Sequence, residues 1–114
     1  MKRSNEVYIE DVLESIGLIR KYAANVTGAG FIGDPELQDA IMRRLEIIGE
    51  TVKHVPEKIR NEFPKIPWRE ISSMRDMLTH EYFGIDEKRV WKTTREDIPD
   101  LERKMKKVLK FIRG

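Results

Sequence analysis

Apolar residues recur at spacings of three and four along nearly the whole chain, and prolines and glycines cut that recurrence into segments. A period near 3.6 belongs to amphipathic helices, whereas a half-buried strand would alternate. The first stripe, Ile9, Val12, Leu13, Ile16, Ile19, Ala23 and Val26, predicts a helix from about residue 6 to residue 26 with one face on a core. Thr27-Gly28-Ala29-Gly30-Phe31-Ile32-Gly33 then breaks it, because closely spaced glycines favour turns with positive φ. These glycines do not read as a phosphate cradle: no Lys-Ser/Thr follows them and no strand precedes them.

Asp34-Pro35 marks the next start, an N-capping carboxylate followed by a proline at the first helical position, where its missing N–H costs nothing. Leu37, Ile41, Leu45, Ile48, Val52 and Val55 carry a second stripe to Pro56, so a long helix is expected antiparallel to the first. A short helix through about Asn61 and an extended connector, Phe63-Pro64-Lys65-Ile66-Pro67, come next, since residues before proline avoid the α region. Pro67 is expected to open a third main helix with Trp68, Ile71, Met74 or Arg75, and Leu78 inward, ended by Gly84. Asp86 would cap a short helix through about Glu96. Pro99 would open the last, with Leu101, Met105, Val108, Leu109 and Ile112 inward. No strand pattern is visible. The expectation is an all-α up-and-down helical bundle of four main helices plus one or two short ones, one domain over residues 1–114.

Composition narrows the class. Hydrophobic residues make up 39% and charged residues 37% of 114, with a net charge of only +2, which suits a globular protein with a surface dense in both signs. No run approaches the roughly 20 apolar residues of a membrane span, and Met1-Lys2-Arg3 leads into acidic, amphipathic sequence, so a cytoplasmic location is expected. The absence of cysteine excludes disulfides and thiolate zinc sites. His54 and His80 are too distant in sequence for a local metal motif, so no metal or other cofactor is expected. Abundant Lys, Arg and Glu suit a hot environment and equally any solvated helical surface.

The chemistry concentrates in Met74-Arg75-Asp76-Met77-Leu78-Thr79-His80-Glu81-Tyr82-Phe83-Gly84. Arg75 offers a planar fork of donors to a phosphate, His80 a ring that changes charge near neutral pH, and Tyr82 a hydroxyl two residues on. Phosphodiester chemistry needs those parts. On one continuous helix Arg75 and Tyr82 would share a face, and Asp76 and His80 would form an i,i+4 pair in which the carboxylate fixes the imidazole tautomer. Arg75 and His80 would then point about 140° apart at about 100° per residue. A frayed helix end, the length of the arginine, or a second copy in a symmetric dimer would be needed to bring them together.

The spacing Arg-x-x-x-x-His-x-Tyr, with Ile47-Ile48-Gly49-Glu50 before it, Ile66-Pro67-Trp68-Arg69-Glu70-Ile71 leading in, and Val90-Trp91 and Ile98-Pro99-Asp100-Leu101 after it, resembles the HEPN superfamily. It resembles most the HepT-like toxins paired with a minimal nucleotidyltransferase antitoxin, over nearly the whole chain. The resemblance implies a homodimer with a composite site and metal-independent cleavage of RNA, the ribose 2′-OH attacking the adjacent phosphate. It makes Arg75 and His80 the catalytic residues, with Asp76, Glu50 and Tyr82 supporting. It further implies that the cognate nucleotidyltransferase antitoxin silences the toxin by AMPylation of Tyr82. Asp76 departs from the asparagine frequent in the family, and Glu50 is a candidate partner for Arg75.

Plainer readings stand beside these. His80 would cap a helix C-terminus, Arg75 would be a surface partner of an aspartate, Tyr82 and Phe83 a core pair, Glu50 a solvated glutamate and His54 a helix-end residue. Arg103, Lys104, Lys106, Lys107, Lys110 and Arg113 either track an RNA backbone or form the solvated face of a terminal helix. The alternatives of another class are a non-catalytic nucleotide-binding or helical partner subunit of a nucleotidyltransferase, and a purely structural dimeric bundle.

Overall fold

Asp34 and Pro35 act as their chemistry predicts: the Asp34 carboxylate accepts the Leu37 N–H at 3.1 Å, and α3 (Pro35–Val52) runs from there. The computed structural model describes residues 4–80 and 84–114, with His80 described by its backbone alone. α1 (Asn5–Ala23) lies along both α3 and the last helix, α8 (Ile98–Arg113), and these three long helices enclose the centre of the core. Ile9, Val12, Ile16 and Ile19 of α1, Ile41, Leu45, Ile48 and Val52 of α3, and Met105 and Val108 of α8 are wholly buried. The all-α bundle expected from periodicity is therefore present, and no helix among the described residues is long and apolar enough to cross a membrane.

The glycine-rich break is itself one helical turn, α2 (Gly28–Ile32), capped by the Thr27 hydroxyl and sealed by Gln38, whose Nε2 donates to the carbonyls of Phe31 and Ile32 at 2.9 Å each. α4 (Glu57–Glu62) follows Pro56 as expected. Arg60 within it donates to the carbonyls of Val55 and Val52, closing the end of α3.

Three expectations fail. The third main helix is two five-residue helices, α5 (Trp68–Ser72) and α6 (Met74–Leu78), hinged at Ser73 (φ −104°, ψ 16°), and Pro67 precedes the helix as its cap residue. Gly84 does not end a helix. It belongs to a short antiparallel ladder of β1 (Thr79–His80) and β2 (Gly84–Ile85), with Thr79 opposite Ile85 and His80 opposite Gly84. Two-residue strands are too short to display a period of two, and the φ of +79° at Gly84 is one that glycine alone adopts cheaply. Finally, α7 (Glu87–Lys92), capped by Asp86, does not stop at Glu96: it passes through a π-helical turn, Thr93–Asp97, straight into α8. Proline inside a helix clashes with the carbonyl four residues back, and the wider π turn just before Pro99 accommodates it, with the Thr94 hydroxyl donating to the Val90 carbonyl at 2.9 Å.

Candidate active site

Gly49 determines how closely the motif segment approaches α3. A Cβ added there would stand 3.1 Å from the Ile71 carbonyl oxygen and 3.3 Å from that of Ser72, so only glycine lets α3 meet the hinge between α5 and α6 this tightly. At the hinge the Ser73 N–H is shared between the carbonyls of Arg69 and Glu70, the Ser72 hydroxyl donates to Arg69 O, and α6 starts afresh from the Ser73 carbonyl. Met74 and Leu78 point inward from α6, while Arg75, Asp76 and Met77 point out.

α6 stops at Leu78, whose carbonyl accepts the Asp86 N–H at 2.8 Å across the base of the ladder. Thr79 turns extended, and its hydroxyl donates back to the Arg75 carbonyl at 3.1 Å. His80 is thus carried on a strand and not on the helix of Arg75 and Asp76. The backbone changes direction between Asp76 and His80, so the two do not share one helix face as a continuous helix would place them. Tyr82, and with it the alternative of a Tyr82–Phe83 core pair, lies outside the described residues.

Arg75 is 69% exposed, yet it is held: its Nε lies 3.3 Å from Oε1 of Glu46 on α3. The expected partner, Glu50, instead pairs with Lys53 at 3.1 Å one turn further along α3. Sequence reading passed over Glu46. The available signal was Gly49, which marks the face of α3 turned toward the motif, because a residue three positions earlier lies on that face. Met42, Arg43 and Glu46 of α3, Arg75 of α6, and Thr79 and Ile85 of the ladder line a shallow depression of about 380 Å³. It offers guanidinium donors beside a threonine and an apolar floor, a setting in which a phosphodiester can be held by directed hydrogen bonds.

The other candidates fall to plainer roles. His54 stacks on Tyr8 with ring centroids 5.6 Å apart. Along α8, Arg103 and Lys104 both pair with Asp100 of the same helix, and Arg113 pairs with Glu6 and Glu10 of α1, so half of the basic run is occupied in ion pairs, two within the helix and one across to its neighbour.

Residues 12–108 match the model of a family described as ribonuclease HepT-like. The chain belongs to that family. It is 46% identical over 110 residues to a probable ribonuclease HepT of Thermococcus cleftensis, covering 96% of this chain and all of the relative. Two proteins each named "putative RNase" are also similar: one of Methanocaldococcus jannaschii, 38% identical over 99% of this chain and 93% of its own length, and one of Caldanaerobacter subterraneus subsp. tengcongensis, 40% identical over 90% and 91%. No solved structure matches. The HepT-like match spans α1 to α8, so the depression at Arg75 lies inside the region that defines the family.

Proposed function

We propose that this HepT-like protein is an endoribonuclease toxin that cleaves RNA without a metal ion, at a composite site formed by two copies of the chain. The observation that carries the reading is Arg75: exposed, fixed by Glu46 at the edge of a depression, and followed within five residues by the histidine of the adjoining strand. In the reaction the ribose 2′-OH attacks the adjacent phosphorus while His80 of one protomer takes its proton. The P–O5′ bond breaks, and the leaving oxygen receives a proton from the second histidine. Arg75 offsets the charge that builds on the phosphorane oxygens, a role commonly worth roughly 3–4 kcal/mol. DNA lacks the nucleophile and is not cut. A two-fold arrangement suits the open depression, because a second copy supplies the acid that one histidine acting as base leaves missing.

Tyr82 stands two residues after His80, so AMP attached to its hydroxyl by a cognate nucleotidyltransferase would place phosphate where the RNA phosphate must bind. That makes Tyr82 the switch of the pair, and the nucleotidyltransferase the antitoxin. The protein works in the cytoplasm as a single domain, with RNA as its substrate.

The test is cleavage of a mixed single-stranded RNA in excess EDTA by protein whose mass shows Tyr82 unmodified, beside His80→Ala and Arg75→Ala of matched circular dichroism. Cleavage by wild type leaving 2′,3′-cyclic phosphate ends, and its loss in both variants, supports the reading. Unmodified wild type that cuts none of several RNAs overturns it in favour of a nucleotide-binding partner subunit.

A further inference from the structure

A second arginine faces the same depression. On α3, Arg43 stands one turn before Glu46, and its Nη1 lies 3.7 Å from Glu46 Oε2, while Arg75 Nε lies 3.3 Å from Oε1. One carboxylate therefore spans two guanidiniums, one on each oxygen. Two guanidiniums set this close repel each other, and Glu46 between them offsets that repulsion.

The donors left over decide what the arrangement can bind. A guanidinium carries five N–H groups in a fixed fork. Arg75 turns its Nε to Glu46, which leaves both terminal nitrogens for a ligand, and Arg43 turns only one terminal nitrogen. The two side chains are 67% and 69% exposed, so those donors are open to solvent and to an anion arriving from it. Exposed ion pairs contribute little to folding, so these contacts set side-chain direction far more than they set stability. Asp39 lies on the same wall, so the depression holds two carboxylates against two guanidiniums. It is no diffuse trap for anions, and binding there rests on directed, forked hydrogen bonds of the kind arginine gives to phosphate.

We propose that Arg43 and Arg75 form a two-guanidinium phosphate site, in which Arg75 meets the phosphodiester that is cut and Arg43 holds a neighbouring phosphate of the same strand. Glu46 is the positioning residue for both. The assignment rests on the ribonuclease reading above and adds to it a substrate-binding residue and the group that aims it.

The test uses a 2′-O-methyl single-stranded RNA, which has no free 2′-OH and is not cut, for binding across a range of salt concentrations, and ordinary RNA for kinetics. Wild type is compared with Arg43→Ala, Arg43→Lys and Glu46→Gln. Losing one phosphate contact should make the slope of log K against log salt shallower by about 0.7 for a single strand and weaken all sequences alike. Arg43→Ala should show that change, with the kinetic loss mainly in KM, while Arg43→Lys keeps the slope. Glu46→Gln is the sharper variant. Removing a negative charge from an RNA site should by charge alone tighten binding, whereas loss of positioning lowers kcat, on the order of ten- to a hundredfold. Unchanged slope and KM in Arg43→Ala overturn the assignment, as does loss of the dimer in sedimentation, which makes Arg43 an interface residue. A Glu46→Gln protein that cleaves as fast as wild type or faster overturns the positioning role. Wild type that neither binds nor cuts RNA overturns both this assignment and the reading beneath it.

Discussion

The helices α1, α3 and α8 and the described part of the motif segment, residues 73–80 with 84–85, are built on opposite terms. In the three long helices the apolar period runs for four turns or more, and a side chain such as Ile16, Leu45 or Met105 has no exposed surface. In the motif segment the period lasts one turn: Met74 and Leu78 anchor it, and Arg75, Asp76 and Met77 are exposed. Folding energy therefore accumulates in the first region, while the second holds its shape by a glycine contact, a shared N–H at Ser73 and a two-residue ladder. The chemistry sits where the period stops, because a side chain that must meet a substrate cannot also be core.

The sharpest way to break this contrast is to move a stability effect into the motif. Leu45→Ala should cost about 2–5 kcal/mol in urea unfolding, since it leaves a cavity among fully buried neighbours. Arg75→Ala should stay within about 0.5 kcal/mol of wild type yet lose on the order of 10²–10³-fold in kcat toward RNA. Arg75→Ala as destabilising as the core change would mean that the arginine belongs to the fold and not to the site.

Gly49 couples the two regions, and a methyl group there tests the coupling. Gly49→Ala pushes on the carbonyls of Ile71 and Ser72, so a loss of about 1–3 kcal/mol is expected from overpacking. Because those carbonyls belong to the last turn before Ser73, RNA cleavage should fall further than that stability change accounts for at temperatures where the protein is fully folded. Equal activity per folded molecule would show that the hinge tolerates displacement and that Glu46 alone fixes Arg75.

The long helices were legible in the sequence because each rests on a repeated signal: six stripe residues within α1, and for α3 a stripe reinforced by the Asp34-Pro35 cap. The motif was legible as residues, through the spacing of Arg75, His80 and Tyr82, and not as geometry. One helix from Pro67 to Gly84 satisfied the local apolar pattern. The break at Ser73 follows directly on the carbonyls of Ile71 and Ser72 that lie against Gly49, more than twenty positions upstream, a tertiary approach that no local pattern displays. The sequence puts Glu50 forward as the partner of Arg75 in place of Glu46 because both are glutamates on one helix, and only the approach of α6 to α3 selects Glu46. Pro99 marked a helix start in sequence, and the π turn before it turned that start into a continuation.

The smallest expected effect lies on the rim of the long-helix region, where Arg113 at the end of α8 meets Glu6 and Glu10 at the start of α1. The hydrogen bond from Arg113 holds the Glu6 carboxyl below its ordinary value of 4.5. A carboxyl lowered in the folded state stabilises in full above its unfolded value and loses that contribution as pH falls through the folded one. The Tm of wild type should therefore exceed that of Glu6→Gln slightly at neutral pH, and the gap should close as pH drops below 4.5. High salt should close it at neutral pH too, because the pair is solvent-exposed. Asp100, lowered chiefly by its hydrogen bond from Lys104, should leave Glu6→Gln with some acid sensitivity of its own. A gap that widens in acid would mean that Glu6 acts by packing against α8, and the ends of the long helices would then be held by the same apolar contacts as their middles.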